Sequence, residues 1–400
     1  MTIQTTFDGG AIRREAPAWG AVFALTLCVA TLIASEFMPV SLLTPIAADL
    51  HITEGQAGQA IAVSGIFAVL ASLFISRATR SIDRRIVLLS LTLVMIASGL
   101  IVALAPSQAI FMAGRALIGI VIGGFWSMSA ATAMRLVPES QVPRALAIFN
   151  GGNALATTIA APLGSFLGQY IGWRGAFFSV VPLAALVLAW QYLTFPSMPT
   201  DNAGHRAPVF GILRMPKVGF GMASVAFFFM GQFALFTYVR PFLEAVAHVD
   251  VSMLSSLLLI MGVAGLLGTF FIGVLLNSRL YALLIAMPLS MALIAIGLIS
   301  SGGSVPAVAV LLAAWGLIGT AAPVGWWTWL SKALPDDAER GGGLMVAIIQ
   351  LAITLGATVG GLFYDASGYQ STFGVSATIL CVSALLAYLA SRASRRDAQQ

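Results

Sequence analysis

Charge is what this chain lacks. Of its 400 residues only 9% are Asp, Glu, Lys or Arg, while 59% are hydrophobic; ordinary soluble domains carry about 25% charge. So few charges cannot clothe a water-exposed surface, and a soluble reading is excluded. Two cysteines, Cys28 and Cys381, fall inside apolar runs, and three histidines, His51, His205 and His248, stand singly in polar stretches. That excludes a disulfide framework and gives a metal no cluster of ligands. The sequence also lacks a GxxxxGK[ST] phosphate loop and a nucleophile beside a base, which argues against ATP-driven work and against an enzyme. No cofactor is expected.

What the chain has instead is apolar length. A helix needs about 20 residues to cross a hydrocarbon core of about 30 Å, and runs of that order recur twelve times. They are numbered here as helices 1 to 12, at 17–42, 56–76, 86–105, 109–134, 145–170, 175–195, 217–240, 252–275, 281–301, 306–330, 343–364 and 371–391. A membrane β-barrel would show short alternating segments, so the expected fold class is an all-α integral membrane bundle. The first run, behind Arg13 and Arg14, is too long for a signal-peptide core and reads as a retained helix.

Basic residues stay on the cytoplasmic side. With both termini inside, 17 of the 20 Lys and Arg residues fall in cytoplasmic segments, the exceptions being Arg174, Arg240 and the intramembrane Arg115. The pI near 9.6 follows from this bias, so no nucleic-acid partner is read from it. The expected location is a bacterial inner membrane, multi-pass. The polar, Pro-containing stretch 196–216 separates two blocks of six helices, 17–195 and 217–391, flanked by cytoplasmic tails 1–16 and 392–400. The blocks resemble each other. Gly164, Gly172 and Phe177 recur 196 positions later as Gly360, Gly368 and Phe373, and RLVPE at 135–139 is echoed by KALPD at 332–336. Parallel six-helix repeats of this kind suit a transporter that rocks two halves about a midplane site.

Within the apolar runs a few polar residues stand out. Glu36 lies about 25 Å along a helix begun near Trp19, at about 1.5 Å per residue, in the outer part of the membrane but not at its surface. One reading makes it a passive polar residue in a wet vestibule or a cap before Pro39. The other makes it a proton-coupling group, because a carboxylate that changes hydration or partner between two conformations changes its proton occupancy. Arg115 in helix 4 lies at a similar depth and is either its partner or a clamp on neighbouring carbonyls. Trp126 and Trp315 offer flat faces, and Asn150, Asn153, Gln232 and Gln350 offer amides that are costly against lipid unless they face the interior; both also serve as packing. Tyr238 and Arg240 near the end of helix 7 either gate the outer mouth or anchor at the interface. Trp326, Trp327 and Trp329 read as a cytoplasmic aromatic belt. Asp49, Glu54, Glu244, Asp250 and Asp365 read as solvated.

Several stretches carry a resemblance over nearly the whole chain. Arg115 with Gly119 and Gly123-Gly124, then Gly152, Ala161-Pro162 and Gly164, then GWRGAFF at 172–178, resemble the motifs of the major facilitator superfamily in its drug/proton antiporter branch, with Ala161 where a Gly is usual. EFMPVSLLTPIAADL (36–50), GGFWSMSA (123–130), MRLVP (134–138), AAPLGSFLG (160–168), GQFALFTYVRP (231–241), PVGWWTW (323–329) and IQLA (349–352) resemble bacterial purine ribonucleoside efflux permeases. Sugar-efflux permeases share part of the pattern. The loop between helices 2 and 3 departs from the superfamily: aligned on Arg84-Arg85, Ser76 stands at the usual Gly and Arg80 at the usual Asp. The resemblance then implies gating by Arg84 and Arg85 with Asp83 as substitute acid, and a fragment of the same loop as Gly273, Asn277 and Arg279 in the second half. It also ranks Gln232 and Gln350 above Asn150 and Asn153.

These readings converge on a proton-coupled antiporter exporting purine ribonucleosides such as inosine and guanosine, acting as a monomer on protons and a small molecule within lipid. Alternatives are export of a sugar of the arabinose type or of drugs, a passive facilitator, and a membrane sensor without transport; the absence of an appended soluble domain weighs against the last.

Overall fold

The computed structural model describes residues 17–199, 209–334 and 338–397; the N-terminal tail, His205, Arg206 and Asp336 lie outside them. Every long element among the described residues is a helix. Ten apolar segments are long enough to span a membrane. Two of them are too long to span it once: a straight helix of the 51 residues Arg144–Thr194 would reach about 75 Å. Each breaks at a glycine, Gly172 with φ 71° and Gly368 with φ 74°, where a side chain would be strained. Ten segments therefore make twelve crossings.

Helix 1 is Trp19–Leu50, helix 2 Glu54–Ala78, helix 3 Arg84–Ala103 and helix 4 Gln108–Arg135. Helices 5 and 6 share Val142–Thr194, and helix 7 is Pro216–Phe236, followed by the short turn Val239–Ala245. Helices 8 and 9 share Val251–Ser301 with a break at Arg279, helix 10 is Val305–Ala333, and helices 11 and 12 share Ala338–Asp397. Helix 12 thus continues through Arg392 and Arg395, which the sequence had suggested as tail.

The larger difference is in helix 1, which runs through Pro39 and Pro45 to Leu50 rather than ending at 42. A proline has no N–H, so each leaves the carbonyl four residues earlier without its helical donor. Those carbonyls belong to Ser35 and Ser41. Both are taken by arginines from elsewhere: Arg115 donates to Ser35 at 2.7 Å and Arg240 donates to Ser41. With external donors supplied, the helix tolerates both prolines.

The two halves repeat one another in packing as well as in sequence. A Cβ on Gly119 would lie 2.2 Å from the Ser64 carbonyl oxygen, and one on Gly316 would lie 2.0 Å from that of Met261; both pairs are related by a shift of 197 positions. Glycine there lets helix 4 lie against helix 2, and helix 10 against helix 8, backbone to backbone. Odd helices up to 11 begin, and even ones end, on the side that carries the connection between the halves, called here the linker side. The opposite end is the far side.

Candidate functional site

Between the halves lies a cavity of about 780 Å³, within the size range of small-molecule sites, about 300–1,000 Å³. Its wall runs from mid-helix residues such as Glu36, Phe233 and Met261 to Leu146, Trp327, Thr328 and Val346 near the linker-side ends. It is therefore open towards the linker side. Of the residues singled out from the sequence, Glu36, Trp126, Asn150, Asn153, Gln232, Trp315 and Gln350 all line it, and Glu36 is the one charged residue among the described lining. Phe149 and Phe229 add aromatic surface that the sequence reading had not assigned, and Trp327, read there as part of a cytoplasmic belt, lines the cavity. Gln232 stands 196 positions after Glu36, so the repeat sets an acid and an amide at equivalent places in the two halves. The Glu36 carboxylate has the Gln350 side chain and the Arg115 charge as its polar neighbours.

Some polar atoms on this wall are unpaired within the protein. Gln232 Oε1, an acceptor, Trp315 Nε1, a donor, and Ser129 Oγ are buried without a partner. Leaving such atoms without a partner costs about 1–3 kcal/mol each.

Arg115 does not line the cavity. It is buried, at 1% exposure, and donates to the carbonyls of Ser35, Glu36 at 3.1 Å and Ala60 at 3.3 Å and to Ser64 Oγ at 3.3 Å. Its hydrogen bonds fasten helices 1, 2 and 4 together, which is the clamp role, while its charge still acts on Glu36 from behind.

The far side is closed by contacts between halves. Phe37, beside Glu36, stacks on Phe233 at 5.9 Å and meets Phe236 edge-on at 6.4 Å. Above this plug Arg240 reaches Ser41 of helix 1 and pairs with Glu244 at 2.8 Å. Tyr238 donates to the Ala357 carbonyl at 2.9 Å, stacks on Tyr364, and lies where a Cβ on Gly58 would strike its hydroxyl. Outermost, Asp365 of helix 11 accepts from Thr53 Oγ1 at 2.6 Å and from the Gly55 amide at 3.0 Å. Asp365 was read as solvated; it is exposed, and it also bridges to the first turn of helix 2. Asp49 and Asp250 are exposed too, Asp49 pairing with Arg174 and Asp250 accepting from the Met253 amide at 2.7 Å as the cap of helix 8, while the partly buried Glu244 pairs with Arg240. Trp326 and Trp329 are buried in the second half against Phe228 and each other rather than in an interfacial belt, because the stripe they share faces the interior of the bundle.

In the linker-side loop, Asp83 and Arg85 bond to residues of the first half and the start of the linker. Asp83 caps helix 3 through the Arg85 amide and accepts from Ser197 and the Met198 amide, the Arg84 amide donates to the Met198 carbonyl, and Arg85 donates to the Tyr192 carbonyl at 2.7 Å. The acid thus ties helix 3 to the start of the linker. The surroundings of Gly273 and the side chain of Asn277 lie outside the described set. For Asp83, slight burial raises the pKa, but hydrogen bonds from Ser197, Met198 and Arg85 and the Arg85 charge outweigh it, holding the carboxyl below its ordinary value. A lowered folded value gives stability present above the unfolded pKa and lost as pH falls through the folded one. Asp83→Ala should lower stability by about 1 kcal/mol at neutral pH, read as a lower thermal midpoint in detergent, and its gap from the parent protein should close as the pH is taken below the carboxylate range.

Two repeated six-helix halves around one central cavity, open at one end and sealed at the other, define a membrane transporter of the two-half class. Residues 25–346 match the family model of the Major Facilitator Superfamily, and the chain belongs to that superfamily. It is 57% identical over 385 residues, 94% of this chain and 95% of the other, to a protein of Pseudomonas aeruginosa named transcription regulatory protein OpdE. It is 42% identical over 370 residues, 92% and 93% of the two chains, to the purine ribonucleoside efflux pump NepI of Salmonella typhimurium. Among solved structures, a bacterial homologue of the human lysosomal transporter Spinster, inward-facing and unoccupied, superposes with a TM-score of 0.77 over 96% of this chain and 98% of that one, and a D-xylose-proton symporter with 0.75 over 93% and 98%. Both are 16% identical, which speaks for the fold alone.

Proposed function

We propose that this transporter is a proton-coupled exporter of purine ribonucleosides, set in a bacterial inner membrane with the linker side cytoplasmic, so that the conformation described faces inward. The observation that carries the reading is the single acid, Glu36, on the wall of a largely apolar cavity whose lining includes aromatic rings and the amides of Asn150, Asn153, Gln232 and Gln350. Aromatic faces suit a base, and amides can pair with its edge. The 42% identical relatives named as purine ribonucleoside pumps support the substrate class. In this reading Glu36 exchanges protons, Arg115 holds helix 1 in place behind it, and Tyr238 and Arg240 gate the far side.

The test is uptake into inverted vesicles under an imposed pH gradient, with radiolabelled inosine or guanosine compared with arabinose. Nucleoside accumulation supports the proposal, and accumulation of arabinose alone replaces it with sugar export. Gln232→Leu and Gln350→Leu should each weaken nucleoside transport by up to about a hundredfold in apparent affinity, the scale of a lost buried hydrogen bond; unchanged transport by both variants would remove the amides from the site.

One observation favours a second reading. The 57% identical relative is named a transcription regulatory protein, so the chain would then act on gene expression from the membrane. A regulator without transport predicts no gradient-driven uptake of nucleosides, sugars or drugs, together with altered transcript levels when the gene is deleted.

A further inference from the structure

Away from the cavity, at the linker-side end of the second half, helices 9 and 12 leave between them a groove of about 510 Å³. Tyr281, Ala282 and Ile285 line it from helix 9; Tyr388, Ser391, Arg392, Arg395 and Arg396 line it from helix 12. The spacing 388, 391–392, 395–396 puts the second set on one helical face. Arg392 lies over the Tyr388 ring, 5.9 Å from its centre. Among the described side chains no carboxylate forms an ion pair with any of the three arginines. Arg395 and Arg396 occupy the last turn of helix 12, where the helix's own negative end favours cations, so the positive charge stays concentrated there. One turn further along these two helices, away from the linker side, stand Leu289 and Leu385, exposed at 42% and 58%.

We propose that this groove binds an anionic glycerophospholipid. Guanidinium groups meet phosphate oxygens in paired hydrogen bonds, and a basic pocket between helices at a membrane surface is a place for a charged headgroup. Ala282 and Ile285 at the base and the leucines beyond give the glycerol and acyl chains an apolar path into the hydrocarbon, which a free phosphate does not use. A zwitterionic headgroup brings its own cation into a site that already holds three, so an anionic one is favoured. The hydroxyls of Tyr281, Tyr388 and Ser391 supply donors for the remaining phosphate or glycerol oxygens. The site is separate from the cavity, shares no lining residue with it, and does not depend on what the cavity carries.

Native mass spectrometry of the full chain in detergent tests this, with phosphatidylglycerol or phosphatidylcholine added. Phosphatidylglycerol should stay bound where phosphatidylcholine does not, and excess inorganic phosphate should not displace it. Arg392→Gln, Arg395→Gln and Arg396→Gln should each weaken retention by about fivefold, the scale for one basic residue near a charged membrane surface, while Arg135→Gln, at the linker-side end of helix 4, should leave it unchanged. Equal retention of the two lipids, displacement by phosphate, or unchanged retention in the triple variant that combines Arg392→Gln, Arg395→Gln and Arg396→Gln would overturn the proposal. Should the triple variant misfold, the lipid comparison and the phosphate competition on the unaltered protein still decide.

Discussion

Glu36→Gln is expected to bring pH-driven accumulation down to background while nucleoside counterflow, which needs no net proton movement, persists. The carboxylate sits at 8% exposure on the cavity wall, with Gln350 and the charge of Arg115 as its polar neighbours. When the halves rock, the cavity gains or loses access to water on one side, and a carboxylate whose hydration changes binds a proton in one state and releases it in the other. Glutamine keeps the shape and the hydrogen-bonding capacity of the protonated acid but cannot ionise. The fold itself carries an amide at the equivalent place in the other half, Gln232, so an amide at 36 suits the geometry of such a position. A purely structural Glu36 predicts another pattern, in which uphill transport and counterflow fall together as the protein destabilises. The measurement is both activities in one reconstituted preparation, and normal gradient-driven accumulation by Glu36→Gln would sink proton coupling at this residue.

The sequence made the helices legible because each must be a long apolar run, and it made the repeat legible because glycines at backbone crossings and turns cannot be replaced cheaply. Gly172 and Gly368 mark the same left-handed break in each half for that reason. Polar residues inside apolar runs were legible too, since lipid excludes them, and Glu36, Asn150, Asn153, Gln232 and Gln350 meet on one cavity wall. The aromatic plug of Phe37, Phe233 and Phe236 was not legible: phenylalanine occurs 24 times in the chain and is as much at home against lipid as between halves. The bridge made by Asp365 was missed because an exposed carboxylate near a helix end looks the same whether it meets water alone or, as here, also an amide and a hydroxyl of the opposite half. A usable signal did exist for the arginines. Pro39 and Pro45 announce orphaned carbonyls at 35 and 41, and the chain holds few buried donors strong enough to serve them.

Those two orphans have different fates, and the difference gives the second large prediction. Ser35 is held by Arg115 from helix 4 of the same half, a bond that survives any rocking of one half on the other. Ser41 is held by Arg240 from the opposite half, and that bond must break when the far side opens. A hydrogen bond with a charged donor contributes about 1.5–3 kcal/mol, so its loss should shift the closed-to-open ratio by about ten- to a hundredfold. Pro45→Ala restores the helical N–H, gives the Ser41 carbonyl its own donor, and leaves Arg240 with Glu244 alone. Alanine is also the better helix former by about 3 kcal/mol, so the variant should fold at least as well as the parent. Arg240→Gln removes the same bond from the other side. Both should open the far side, seen as a longer distance between spin labels at Ser107 and Ser304, the exposed residues preceding helices 4 and 10 in the two halves. Pro39→Ala, which touches only the bond within one half, should leave that distance where it was. If Pro45→Ala kept the distance distribution of the parent protein, Arg240 would be an interfacial anchor and the carbonyl freed by Pro45 would have no part in the gate.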